Sequence, residues 1–152
     1  MDNARYSPMI LCAAAGLIIA SCSGSRPANL GVTNGLLAPC PSTPNCVSSQ
    51  SRDPAHAVAA LTYTSSPAEA MAKLRRTVQA MPRTLIVTET STYLHAEFTS
   101  AVMRFVDDVE FSLDEPTRSI HVRSASRLGR SDFGVNRKRV EEIRSKWMAA
   151  EQ

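Results

Sequence analysis

Val109-Glu-Phe-Ser-Leu-Asp-Glu-Pro-Thr-Arg-Ser-Ile-His-Val-Arg-Ser124 decides the fold of this chain. Two runs within it, Val109–Leu113 and Ile120–Ser124, alternate apolar and polar residues, and Asp114-Glu-Pro-Thr117 between them is turn chemistry. Successive side chains of a strand point to opposite faces, so the period of two predicts a hairpin with one apolar face. Upstream, Tyr93-Leu-His-Ala-Glu-Phe-Thr99 repeats the pattern, setting Leu94, Ala96 and Phe98 against Tyr93, His95, Glu97 and Thr99. Leu85-Ile-Val-Thr-Glu89 reads as one more strand, whereas Ala101–Val106 is less plainly a turn. Four short, locally linked strands predict an antiparallel meander with one apolar and one wet face.

A helix precedes the strands and another follows them. Pro67–Met81 carries Met71, Leu74, Val78 and Met81 at spacings of three and four, the stripe of a helix packed on one side. Ser66 with Glu69 makes a capping box, Pro67 suits the first helical position, and Pro82 ends the run. A methionine-rich stripe of this kind reads as core before it reads as a ligand pocket. The last helix runs from near Val135 to about Ala149 and buries Val140, Ile143 and Trp147, with Asp132 and Asn136 both candidates for its cap. The expected fold is α+β: a two-layer sandwich of a four-stranded antiparallel sheet flanked by an N-terminal and a C-terminal helix, α-β-β-β-β-α.

Between the last strand and last helix, Ser124–Arg139 packs five basic residues, Asp132, three serines and two glycines into sixteen positions. Strand-to-helix turns of this composition can converge backbone N–H groups and arginines on an anion. Ser124, Ser126, Arg127, Ser131, Asp132, Asn136 and Arg137 are the candidate ligand-binding residues, because guanidinium forks grip carboxylate or phosphate oxygens bidentately. The same residues admit a structural account. Asp132 would cap the helix, Gly129 and Gly134 would permit the turn, and Arg127 or Arg137 would pair with Asp107 or Asp108.

A second constellation lies on the wet face: His95, Glu97, Glu110, Ser112, His121 and Arg123. It lacks the short ligand spacing of a metal site, and cross-strand charge pairs on a solvated face account for it. No catalytic motif of the nucleophile-elbow, phosphate-loop or His-Glu-x-x-His type occurs, so no catalytic residue, metal or cofactor is assigned.

Toward the N-terminus, Pro39-Cys40-Pro-Ser-Thr-Pro-Asn-Cys46-Val-Ser-Ser49 holds two cysteines. In an oxidising compartment a Cys40–Cys46 disulfide is the expected state; free thiols or a metal site are the alternatives, and only His56 is near as a further ligand. This stretch resembles the opening signature of domain-of-unknown-function family 1499 (DUF 1499). Arg104–Phe111 and Ile120–Arg127 are similar to its middle segment, and Ser131–Val140 to its closing one. Where the closing signature of that family often carries Tyr and Leu, this chain has Arg130 and Phe133. The likeness spans nearly everything from Cys40 to Trp147 and implies identity, without bringing any agreed activity.

The first residues read as an export signal. Arg5 precedes a largely apolar run from Pro8 to Ala20, and that run is shorter than the ~20 residues a membrane span requires. Ile19-Ala20-Ser21-Cys22 looks like a bacterial lipobox, in which Cys22 would be acylated and become the mature N-terminus; an ordinary signal peptide or an uncleaved anchor are the alternatives. Ser23 after the cysteine favours an outer-membrane destination. Residues 1–21 are thus expected as signal peptide, 22–39 as a flexible tether rich in Ser, Gly, Asn and Pro, and 40–152 as one globular domain.

Seventeen basic against fourteen acidic residues give +3, and removing residues 1–21 takes away one of each, Arg5 and Asp2. So mild a balance, with 5% aromatic residues, does not suit nucleic acid. The expectation is a lipid-anchored protein on the periplasmic face of the bacterial envelope, a non-catalytic binding domain for an anionic or polar small ligand or lipid head group. An enzyme of unrecognised type using the turn 124–139 and a purely structural envelope scaffold are the alternatives.

Overall fold

The computed structural model describes residues 23–149, so the expected signal peptide and the expected lipidation site Cys22 lie outside the described residues. In chain order the elements are β1 (Val32–Thr33), β2 (Leu36–Leu37), β3 (Cys46–Ser48), β4 (Leu61–Thr62), α1 (Pro67–Gln79), β5 (Thr84–Glu89), β6 (Tyr93–Thr99), β7 (Val106–Asp114), β8 (Ser119–Ser126) and α2 (Val135–Ala149). The molecule is α+β, with two helices on a mostly antiparallel sheet.

The meander β5-β6-β7-β8 forms in the expected order, but the sheet has six strands, not four. β3 and β4 share the outer edge of β8, Cys46–Ser48 pairing with Arg123–Ala125 and Leu61–Thr62 with Ser119–Ile120. Strands of two or three residues carry no readable period, which is why the sequence does not announce them. They also shield an edge that would otherwise expose unpaired backbone groups.

Both helices cover the apolar face. Leu74 and Val78 of α1 and Val140, Ile143 and Trp147 of α2 pack on Leu94, Phe98, Phe111, Ile120 and Val122. Burying each large side chain contributes about 1.5–3 kcal/mol, so packing outweighs the ~1 kcal/mol of a cap in holding the helices. The Ser66–Glu69 capping box is formed all the same.

The opposite face is not wet. His95, Asp108, Glu110 and Arg123 are all buried, with Asp108 at 1% and Glu110 at 0% exposure. Residues 24–37 lie against this face as a strap. Arg26 reaches Glu97, the Gly31 N–H donates to Glu110 Oε1 at 2.7 Å, and Leu37 is buried with its N–H on Gln50 Oε1 at 2.9 Å. This strap falls within the stretch expected as a tether, and it includes the hairpin β1–β2. Among the described residues, no helix is long and apolar enough to cross a membrane.

Candidate functional site

Register assembles the polar face. Glu97 lies opposite Asp108, His95 opposite Glu110, and Glu110 opposite Arg123. Three carboxylates therefore meet three guanidinium groups, those of Arg26, Arg123 and Arg127. Arg127 grips Asp108 bidentately, Nε to Oδ2 at 2.8 Å and Nη2 to Oδ1 at 2.7 Å, and Nη2 also reaches Glu97. His95 Nε2 stands 2.8 Å from Asp108 Oδ1. In the second group, Tyr93 donates its hydroxyl to Glu110 Oε1 at 2.8 Å and Arg123 donates Nη1 to Glu110 Oε2 at 3.1 Å.

Burial drives the Asp108 carboxyl upward, but hydrogen bonds from Arg127 and His95 outweigh it and hold the group below the ordinary aspartate range. Glu97 is lowered in the same way: burial opposes, and Arg127 and Arg26 prevail. The hydrogen bond to Asp108 leads the causes that raise Arg127. Burial, with the Glu110 carboxylate beside it, pushes the Tyr93 phenol up.

Arg123 is not saturated. Among the described residues its Nε, though buried, has no hydrogen-bond partner, and its guanidinium makes one hydrogen bond, through Nη1. Beside it lies a cleft of about 320 Å³, lined by Arg123, Arg127, Asp108, Ala125, Asn45 and the candidate residue Ser126, with Pro27, Pro39 and Pro41 across from them. A larger groove of about 870 Å³ runs between the strap and residues 48–56. Among its polar members, Asp53 and His56 satisfy each other at 2.9 Å, and Gln50 is held by the Leu37 N–H and the Gly35 carbonyl.

The strand period also distributes the seven residues expected to bind a ligand. Arg127 follows Arg123 and Ala125 onto the polar face, whereas Ser124 and Ser126 point to the helix face. There, buried Asn136 ties four groups together. It accepts from Ser124 Oγ at 2.5 Å and donates through Nδ2 to the Asn45 carbonyl, Ser126 Oγ and Asp132 Oδ2 at 2.8–3.1 Å. Asp132, rather than Asn136, closes the start of α2, accepting from the N–H groups of Gly134 and Asn136. Burial raises its carboxyl, and those backbone donors more than offset the rise.

Arg137 turns away to the carbonyls of Ala57 and Ala55, at 2.7 and 2.9 Å. Ser131 stays exposed and accepts from the Phe133 N–H. Arg139, at the end of the same stretch, joins Asn136 and pairs with Asp107. Arg127, Asp132 and Arg137 therefore do not converge on one centre. Of the pairings open at the sequence level, Arg127–Asp108 is the one formed.

Cys40 and Cys46 lie at disulfide distance, with Cα atoms 5.6 Å apart. Among the described residues, no group of three or more His, Cys, Asp or Glu side chains is arranged to hold a metal ion. The residues that sequence reasoning missed are Asn45, Ala125 and Arg26. Ala125 could have been found by continuing the strand period two residues past Arg123; Arg26, from an aperiodic stretch, gave no signal.

No curated protein sequence matches the chain. A family model described as "Protein of unknown function (DUF1499)" matches residues 36–147, spanning both walls of the cleft, and the chain belongs to that family.

Proposed function

We propose that this is an exported, lipid-anchored envelope domain that binds an anionic or polar small ligand without converting it. The ligand site is the cleft beside Arg123 rather than the turn 124–139 as a whole. The observation that carries the reading is Arg123 itself: a buried guanidinium that, among the described residues, makes one hydrogen bond and leaves Nε without a partner, beside a cleft large enough for a small carboxylate or phosphate ester. An unpaired buried donor costs about 1–3 kcal/mol, and an acceptor delivered by a ligand removes that cost. Anchoring follows from Cys22 in its lipobox, with export to the periplasmic face preceding it.

Calorimetric titration of the purified chain with inorganic phosphate, and separately with a short dicarboxylate, tests the site. Saturable heat with one of them is expected. Ala125→Leu, which fills the cleft while keeping every charge, should abolish it; absence of heat with both probes in the unaltered chain sinks the proposal. Palmitate labelling that disappears with Cys22→Ala is the matching outcome for the anchor, and labelling that persists refutes it. The scaffold reading has one observation in its favour, that Arg127, Arg137 and Arg139 are all engaged internally. It predicts that neither probe binds.

A further inference from the structure

We infer that the end of the sheet formed by loops 100–105 and 127–135 is the face on which the domain lies against an anionic lipid bilayer. Topology puts the two loops together. Thr99 pairs with Val106 to close the β6–β7 hairpin, and Asp107 pairs with Ser126 where β8 leaves the sheet. The Arg127 N–H then bonds the Val106 carbonyl at 3.2 Å, so both connections project from one end.

Their composition is unusual for solvent. Ten large apolar residues are exposed among the described residues, and six of them lie here: Val102, Met103, Phe105, Leu128, Phe133 and Val135. Scattered exposed apolar side chains need no explanation, but a cluster at one end does. Phe133 is 90% and Val102 85% exposed. Phe133 also sits at φ 54° and Arg104 at φ 58°, left-handed backbone that bulky residues adopt at a cost.

Charge at this end is positive where it is free. Arg104 and Arg130 are exposed and have no hydrogen-bond or ion-pair partner among the described residues. The acids nearby are already engaged: Asp107 by Arg139, Asp108 by Arg127 and His95, and Asp132 by the start of α2. Apolar tips flanked by unpaired arginines suit the boundary between acyl chains and anionic head groups.

The direction of the chain selects a bilayer over a protein partner. Gly24, the second described residue, packs where an added Cβ would stand 3.1 Å from Arg127 Cβ and Leu128 Cγ. Residues 1–22, with their apolar run from Pro8 to Ala20, therefore join the domain at this same end. Either acylated Cys22 or an uncleaved leader brings these loops to the lipid, so the inference rests on the anchored reading proposed above and is independent of the ligand cleft.

The test uses the full chain reconstituted in phosphatidylethanolamine–phosphatidylglycerol vesicles with brominated acyl chains, which quench tryptophans in contact with them. Trp147, the one native tryptophan, is buried and gives a fixed background. Val102→Trp and Phe133→Trp should lose emission about two-fold, as expected for side chains seated ~5–10 Å into the interface. Glu115→Trp, in the β7–β8 turn at the other end of the sheet, should keep its emission. Equal emission at all three positions overturns the inference. So does a concentration-dependent dimer that cross-links through 102 and 133 without quenching. Adding Arg104→Glu or Arg130→Glu to the tryptophan variants should weaken the quenching in the anionic vesicles and leave it unchanged in vesicles of neutral brominated phosphatidylcholine. Quenching that ignores both substitutions removes the anionic surface from the proposal.

Discussion

The Arg127 guanidinium holds two carboxylates at once, and removing it would leave Asp108 and Glu97 facing each other across β6 and β7 with too few positive partners. Breaking a buried pair from one side costs about 3–5 kcal/mol, because the surviving charge stays desolvated. An exposed pair such as Arg75–Glu89 is worth about 0–1 kcal/mol. Arg127→Met should accordingly destabilise the chain by about 3 kcal/mol or more in urea unfolding, whereas Arg75→Met should be nearly neutral. The same pair fixes an acid limb. Asp108 and Glu97 sit below reference values of 3.8 and 4.5, so on acidification the unfolded chain takes up protons first and stability falls as pH falls. The contribution is complete above those reference values and is lost as pH drops through the lower folded ones. The melting temperature should be level from about pH 7 to 5 and decline below about pH 4.5, and Arg127→Met should flatten that decline. Part of the limb will remain in the variant, because Asp132 is also lowered, by its backbone donors. A decline of equal steepness in both proteins would assign the limb elsewhere.

Among the elements, those with a period were legible and those without were not. Ser66, Pro67 and Glu69 mark the start of α1 in the sequence as they do in space, and the alternating runs mark β6, β7 and β8. β3 and β4 exist because β8 offers them an edge, an opportunity that no local pattern in Cys46–Ser48 or Leu61–Thr62 encodes. The cysteine loop supplies what propensity does not. A link across a separation of six residues fixes Cys46 at the first position of β3, directly opposite Ala125 in the wall of the cleft. Restricting the unfolded chain by so short a closure contributes about 2 kcal/mol. Cys40→Ser should therefore lower the melting temperature under oxidising conditions and leave it unchanged in reductant. Identical melting of both proteins in oxidant would show that the bridge contributes nothing.

For the whole molecule, the reading turns on what covers the second face of the sheet. Alternation correctly divides apolar from polar side chains, but period two says nothing about whether the polar side meets water or another segment. It is residues 24–37, with no period of their own, that turn a row of charges into a buried network and supply part of the cleft's roof. Gly31 is the point of attachment. Its N–H satisfies a carboxylate oxygen of fully buried Glu110 from a φ of 108°, a conformation that side chains rarely adopt. Gly31→Pro removes that donor and cannot take up that φ, so it should free the strap at its centre. A buried carboxylate that loses one donor costs about 1–3 kcal/mol, and the larger consequence is access: amide exchange across Tyr93–Ser112 should accelerate as water reaches the network. Gly31→Ala is the control, straining the backbone while keeping the N–H, and it should accelerate exchange less. If both variants exchange as slowly as the parent, Glu110 does not depend on the strap for its burial, and the cleft is walled by the sheet alone.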